Sequence, residues 1–319
     1  MLISFIIPHK GREELLERTL QSVLDLDYDP QALEVIVVTQ NAHLSCADRE
    51  PYKGRFTTIF RPESDTISTL RNIGVQHASG EYLVFLDADI HLSPNWLTTM
   101  FQEMQERPER ILVSAIQQNA SDAGILEKIR VTLNNIPADQ TIQFLDGRNL
   151  FLKRSTFDTV GGFPEHLVTC EDYYFTDKVH QQGELYFTSK ATYVHLGEDK
   201  SAGEMFRKEI WRGQSNLQSL RGRKVALREI PSILVPLWEA LFFVIMLAAL
   251  LGGNISSGLL GGIMAGFPIL LYALRLYRIG SGRFRFSESL RFYAIYFPAR
   301  TIGTILGVFK AINIYTLTL

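Results

Sequence analysis

The sequence predicts an α/β domain built on a doubly wound, largely parallel sheet and followed by membrane-associated helices, and three observations predict it. Short β-branched runs, "LISFII" at 2–7 and "LEVIVV" at 33–38, flank "REELLERTLQSVL", in which Leu15, Leu16, Leu20, Val23 and Leu24 recur at helical spacing. A continuous apolar run, Tyr82 to Leu86, ends in Asp87-Ala88-Asp89, as a strand buried on both faces would end at a ligand-binding sheet edge. Beyond Pro231 the composition changes, and two stretches approach the ~20 apolar residues that cross a bilayer core.

The elements follow in order. After the opening strand, helix and strand, the pattern predicts a strand at 55–60, a helix through "ISTLRNIGVQHA", the strand at 81–86, a helix after Pro94 and a strand at 110–116. Residues 117–143, with Asn134-Asn135 and Pro137, read as an irregular excursion over the sheet. "GRNLFLKRSTFDTVGGFPEH" restores a strand, a short helix and a Gly-Gly turn; a helix follows "TCED", Tyr193 and Val194 read as strand, and a basic helix runs over about 203–219.

The expected division is 1–225 for the α/β domain and 226–319 for the membrane region, with spans at 232–251 and 256–274. The turn between the spans is uncharged and basic residues flank the pair, so both outer ends are expected in the cytosol and the protein in the inner membrane. The segment 289–309 is interrupted by Arg291, Pro298 and Arg300; an interfacial helix is favoured there over a third span. Gly258, Gly262 and Gly266 form a small-residue row, read equally well as hairpin packing or as a dimer contact, and Glu239 is a carboxyl inside the first span.

Charge narrows the function. With 32 basic and 34 acidic residues over 319, nucleic acid is not the expected partner. Acidic residues dominate before about 200, whereas Arg221, Arg223, Lys224, Arg228, Arg275, Arg278, Arg283, Arg285 and Arg291 crowd the apolar segments, as at a membrane surface. Cys46 and Cys170 form no metal or disulfide pattern and read as reduced thiols, and "LISFIIP" enters a strand without the basic region of a signal peptide.

Three constellations carry chemistry. Asp87 and Asp89 offer oxygen ligands to magnesium or manganese, which bridge a carboxylate to a diphosphate; alone, two acids in a turn are commonplace. Glu171-Asp172 stands at a helix N-terminus, where the dipole stabilises any acid, but where a carboxylate can also serve as general base toward a hydroxyl. His195 follows a strand and, beside acids and a diphosphate, completes a metal shell; a hydrogen-bonded structural role is the ordinary alternative.

Taken together in this order, "SFIIPHKGREELLERTLQSVL", "LRNIGVQHASGEYLVFLDAD", "GRNLFLKRSTFDTVGGFPE", "CEDYYFTDKVHQQG" and "YVHLG" resemble the family 2 glycosyltransferases, inverting enzymes of the Rossmann-like GT-A fold, over residues 2 to about 220. The resemblance implies that Asp89, approached by His195, binds the metal that holds a sugar-nucleotide diphosphate, and that Asp87 faces the ribose and sugar. It makes Pro8 and Arg71 nucleoside-pocket residues, Asp172 the catalytic base and Glu171 its partner toward the acceptor. Arg207, Lys208 and Arg212 fall where the family carries a mobile basic segment over the diphosphate. The second strand of such enzymes ends in acids that read the base, whereas this one ends in Thr39-Gln40. Gln40 therefore leaves a UDP-sugar favoured and a GDP-sugar open.

The implied reaction moves one sugar to a membrane-bound acceptor, a polyprenyl-diphosphate-linked saccharide in cell-surface polysaccharide assembly. A processive polysaccharide synthase would share the metal and base but carry more spans and a Q-x-x-R-W motif, where this chain has "EIWRGQ". A catalytically silent membrane scaffold would not need Asp87, Asp89 and Asp172 together.

Overall fold

Alternating apolar runs and amphipathic stripes give nine strands and ten helices among the described residues of the computed structural model, which are 1–135, 138–214 and 229–316, with side chains to 309. The first strand, β1 (Ile3–His9), is buried throughout, and α1 (Glu13–Leu24) covers it with Leu16, Leu20 and Val23, three of the residues whose spacing predicts the helix. β2 (Leu33–Thr39) and β3 (Thr57–Phe60) extend the sheet on one side, and α2 (Ile67–His77) starts where the Thr66 hydroxyl accepts a bond from the Thr69 amide.

β4 (Tyr82–Leu86) carries the two acids at its end, with β5 (Ile90–Leu92) and α3 (Trp96–Glu106) following. β6 (Arg110–Gln118) leads to α4 (Ile125–Asn134), β7 (Gln140–Ile142), β8 (Asn149–Lys153) and α5 (Arg154–Val160). The turn after α5 uses Gly161 and Gly162 at φ 80° and 78°, a conformation that costs glycine nothing. α6 (Glu171–His180) and β9 (Glu184–His195) complete the sheet.

The strand order is β3-β2-β1-β4-β8-β6-β9-β5, with β7 on β9. β1, β2, β3 and β4 are parallel, but β8 lies antiparallel between β4 and β6, pairing Phe85 with Leu150. The sheet is therefore mixed rather than doubly wound and parallel. Alternating apolar residues report burial equally well for either strand direction, which is why the pattern could not distinguish them. One apolar layer gathers Phe5, Val84, Trp96, Phe101 and Phe151; the other gathers Ile6, Phe85, Phe157, Phe163 and Phe175.

The excursion expected over 117–143 contains regular structure, α4 and β7. Ile129 and Val131 of α4 are buried, and Ile129 packs with Met205, Phe292 and Tyr293. The chain forms two compact units, Met1–Asp122 with Asn134–Glu198, and Ala123–Leu133 with Asp199–Leu319. The second unit holds most of α4 together with α7 (Ala202–Gly213), α8 (Ile230–Leu251), α9 (Ile255–Ile279) and α10 (Phe286–Thr316). The expected helix beyond 214, Pro137, and Arg221, Arg223, Lys224 and Arg228 lie outside the described residues.

Among the described residues three helices, Ile230–Leu251, Ile255–Ile279 and Phe286–Phe309, are long and apolar enough to cross a membrane. The third continues through Pro298 and Arg300, because Arg300 donates to Glu209 of α7 at 2.6 Å rather than standing alone in an apolar helix. Gly258 and Gly261 abut α8, where a Cβ on Gly261 would stand 3.0 Å from Met246, while Gly266 has nothing within 4 Å. Glu239 neither snorkels nor opens to solvent; it is buried and accepts a 2.9 Å bond from Thr301.

Candidate active site

β4 and β1 are parallel neighbours whose carboxyl ends open on the same edge, with β2 and β3 beyond β1 and β8 beyond β4. Such a reversal in strand order leaves a crevice where ligands bind. Asp87 and Asp89 stand at this edge, half-buried, and the four preceding residues Leu83 to Leu86 are fully buried and hold them rigidly.

Asp89 faces positive charge. Its Oδ2 lies 3.3 Å from His195 Nε2 and 3.3 Å from Arg12 Nη2. The other ring nitrogen of His195 lies 3.1 Å from Glu198 Oε2, and Glu198 is in turn bonded by Gln117 at 3.4 Å. Burial opposes the imidazolium, yet the two carboxylates outweigh it and push the His195 pKa up to about 9. Gly197 lies so close that a Cβ there would collide with the Asp89 carboxylate and come within 2.7 Å of Arg12 Nη2. Only glycine lets the backbone approach this carboxylate.

A second acidic centre lies at the head of α6. Cys170, just before it, takes a left-handed conformation at φ 66°, which turns the chain abruptly into the helix and sets Glu171 and Asp172 on its first turn. Asp172 Oδ2 accepts from the Gly147 amide at 3.3 Å and its Oδ1 from the Tyr173 amide at 2.7 Å. Burial raises the Asp172 pKa, the negative charges of Glu171 and Asp146 raise it further, and Arg71 only partly offsets them, leaving it pushed up to about 7. Burial likewise raises Asp87 above the usual carboxylate range, against the pull of Arg71.

Arg71 joins the two centres. It donates to Asp87 Oδ1 and to Glu171 Oε1, each at 2.9 Å, and its side chain is 2% exposed. It offers a nucleoside almost no surface. Pro8 is buried in β1 opposite Val38. Gln40, at the β2 end, gives its amide protons to the carbonyls of Pro62 and Asp65, each at 2.9 Å. Of the basic residues on α7, Arg207 is exposed, Lys208 pairs with Asp199 at 2.7 Å and Arg212 with Glu209 at 2.7 Å, all within the second unit.

Several site residues escaped the sequence reading: Arg12, Gln117, Asp146, Gly147, Arg148, Gly197 and Glu198. Arg148 bonds Gln117 at 3.0 Å and the Tyr193 hydroxyl at 3.4 Å beneath this edge. "DGRN" and "HLGEDK", where five of the seven fall, carried a signal only in their density of polar residues beside motifs already singled out.

A mixed α/β sheet of this kind is the fold of the GT-A glycosyltransferases. The model of glycosyl transferase family 2 matches residues 4–163, and the chain belongs to that family. It is similar to glycosyltransferase AglE of Haloferax volcanii, 22% identical over 239 residues, which are 72% of this chain and 77% of that protein. Among solved structures it is similar to the mannosyltransferase PcManGT from Pyrobaculum calidifontis in complex with GDP-Man and Mn2+, with TM-score 0.60, 17% identity, and coverage of 95% of this chain and 86% of that one. It is also similar to S. aureus TarS 1–349 in complex with UDP-GlcNAc, with TM-score 0.50, 15% identity, and coverage of 93% and 90%. These structures share its fold.

Proposed function

We propose that this chain moves one sugar from a nucleoside diphosphate-sugar to a hydroxyl of a membrane-bound acceptor, with inversion at the anomeric carbon. The observation that carries this reading is that one arginine, Arg71, pairs with Asp87 and with Glu171, the neighbour of Asp172, whose pKa is pushed up to about 7 by burial and adjacent acids. Asp172 removes the acceptor proton as the hydroxyl attacks, and Glu171, held by Arg71, orients the acceptor. Gln40 reads the base: with its amide nitrogen bound to Pro62 and Asp65, it presents an acceptor oxygen, which suits the ring N–H of uracil or guanine and not the bare ring nitrogen of cytosine or adenine. UDP-sugars remain favoured, with GDP-sugars the alternative; the similar structures hold GDP-Man and UDP-GlcNAc.

Asp89 and His195 would hold a divalent cation, Mn2+ or Mg2+. A carboxylate oxygen and an imidazole nitrogen 3.3 Å apart suit such an ion once the imidazolium, held between Asp89 and Glu198, gives up its proton. When bound, the cation supplies a counter-charge for the departing diphosphate. Arg12, which shares the same Asp89 oxygen, is a further cation at this edge.

Three apolar helices support a membrane location, and the basic Arg275, Arg278, Arg283 and Arg285 support a cytosolic catalytic domain at the inner membrane. A polyprenyl-diphosphate-linked saccharide is the acceptor class that suits such an enzyme. The experiment is transfer by the full-length protein in nanodiscs, scanning UDP- and GDP-sugars with short-chain polyprenyl-diphosphate saccharides, with and without Mn2+. NMR of the product reads the anomeric configuration. A product of retained configuration, or no transfer from any donor, would overturn the reading.

A further inference from the structure

We propose that Arg71 is a positioning residue that holds the acceptor-side acid Asp172 in register with the donor-side acid Asp87, a role that rests on the reading of Asp172 as base. The guanidinium spreads over acceptors from three separate parts of the chain. Nη2 donates to Asp87 Oδ1 at 2.9 Å, beyond β4, and to the Gly147 carbonyl at 3.2 Å, ahead of β8. Nη1 donates to Glu171 Oε1 at 2.9 Å, one hundred residues away on α6. The Gly147 peptide extends the path, because its carbonyl accepts from Arg71 while its N–H donates to Asp172 Oδ2 at 3.3 Å.

Asp87 is therefore held by the guanidinium directly and Asp172 through Gly147. The Phe163 ring lies 5.0 Å from the guanidinium carbon and fixes its plane. A planar fork directs its bonds at fixed angles, whereas an ammonium at the same place would satisfy charge without direction. At 2% exposure Arg71 is closed to substrate, so its effect on the reaction passes through the groups it holds. Its charge also lowers the proton affinity of Asp172, against the acids Glu171 and Asp146. A movement of about 1 Å in a reacting group costs about a hundredfold in rate. A register device of this kind thus has catalytic consequences without touching the substrate.

Two variants of the full-length protein in nanodiscs test the role. Arg71→Lys keeps the charge and removes the fork. Gly147→Ala keeps Arg71 intact, but its Cβ would stand 2.7 Å from Nη2 and 3.1 Å from the guanidinium carbon and must displace it. Each is expected to lower kcat by ~10–100-fold, as loss of an orienting partner does, with donor affinity by calorimetry within about threefold of wild type. The acid limb of the kcat–pH profile is expected to move to higher pH in both, as positive charge draws away from Asp172. Lower thermal stability with unchanged kcat and pH profile below the transition would make Arg71 merely structural and overturn the role. Donor affinity lost in proportion to kcat would make it a donor-binding residue and also overturn it. Wild-type transfer with unaltered variants would remove this role alone, whereas no wild-type transfer would remove the functional reading and the role with it.

Discussion

In the first unit one arginine, Arg71, serves the carboxylates of Asp87 and Glu171, with Asp172 and Asp146 close by; in the second unit one glutamate, Glu209, serves Arg130, Arg212 and Arg300. Both centres are buried, and burial penalises charge in each. The ratio of partners decides the outcome. Where acids outnumber the cation, Asp172 is pushed up to about 7 and can exchange a proton at neutral pH. Where cations outnumber the acid, burial raises Glu209 but Arg300, Arg130 and Arg212 more than reverse it, drawing it down to about 2. Glu209 stays charged at any physiological pH and ties α4, α7 and α10 together. An acid-rich buried centre is equipped for chemistry; a cation-rich one is a clasp.

The largest test of this contrast is Asp172→Asn, which cannot accept a proton yet keeps the side-chain size. It is expected to lower kcat by ~10²–10⁴-fold with donor affinity within a few-fold. Steady-state kinetics beside calorimetry check this, and a variant that retains turnover would end the assignment of chemistry to the acid-rich centre.

Next comes Glu209→Gln, which leaves three guanidinium groups without their shared anion. Breaking a buried pair from one side costs about 3–5 kcal/mol, so thermal denaturation in detergent should show a marked loss of stability. An unchanged transition would show that the cation-rich centre is no clasp.

Asp89, one carboxylate between His195 and Arg12, lies between the two extremes. If Asp89 holds the cation, as proposed, Asp89→Asn removes a charged oxygen donor and is expected to weaken Mn2+ binding by about tenfold or more, read by calorimetry independently of turnover. Unchanged Mn2+ affinity would move the metal site elsewhere.

The smallest effect, per step of pH, is in titration, and its sign differs between the centres. If Asp172 is the base, as proposed, it acts when deprotonated, and kcat should rise with pH through about 7. Because its folded pKa is raised, its contribution to stability is present below the ordinary carboxylate range and is lost as pH rises through about 7. Glu209 is depressed, so its contribution is present above that range and is lost as pH falls through about 2. Urea denaturation of Asp172→Asn and Glu209→Gln across pH should remove the two slopes separately; slopes that survive would assign them to other groups.

The placement of several proposed site residues was legible in the chain. Asp87 and Asp89 were marked by the buried run before them, Asp172 by its helix N-terminus, and His195 by the strand it ends. The bond from Arg71 to Glu171 was not legible, because nothing local in "STLRNIG" distinguishes an arginine aimed at solvent from one folded beneath two acids. Glu198 and Gly197 carry meaning only once β9 has brought them beside Asp89.

By itself the sequence determined which faces are buried and where elements begin: the stripe Leu16, Leu20 and Val23 on α1, the apolar core of β4, and the extent of α8, whereas α9 runs on to Ile279, beyond the expected 256–274. Side-chain period and turn chemistry act within a few residues, and they are written in order along the chain. Tertiary structure alone decided that β8 runs antiparallel between β4 and β6, that α4 buries Ile129 against Met205 and Phe292, and that a single guanidinium joins both acid pairs. The physical reason is that periodicity specifies that a face must be covered, whereas the partner that covers it comes from distant chain segments whose packing only the complete fold selects.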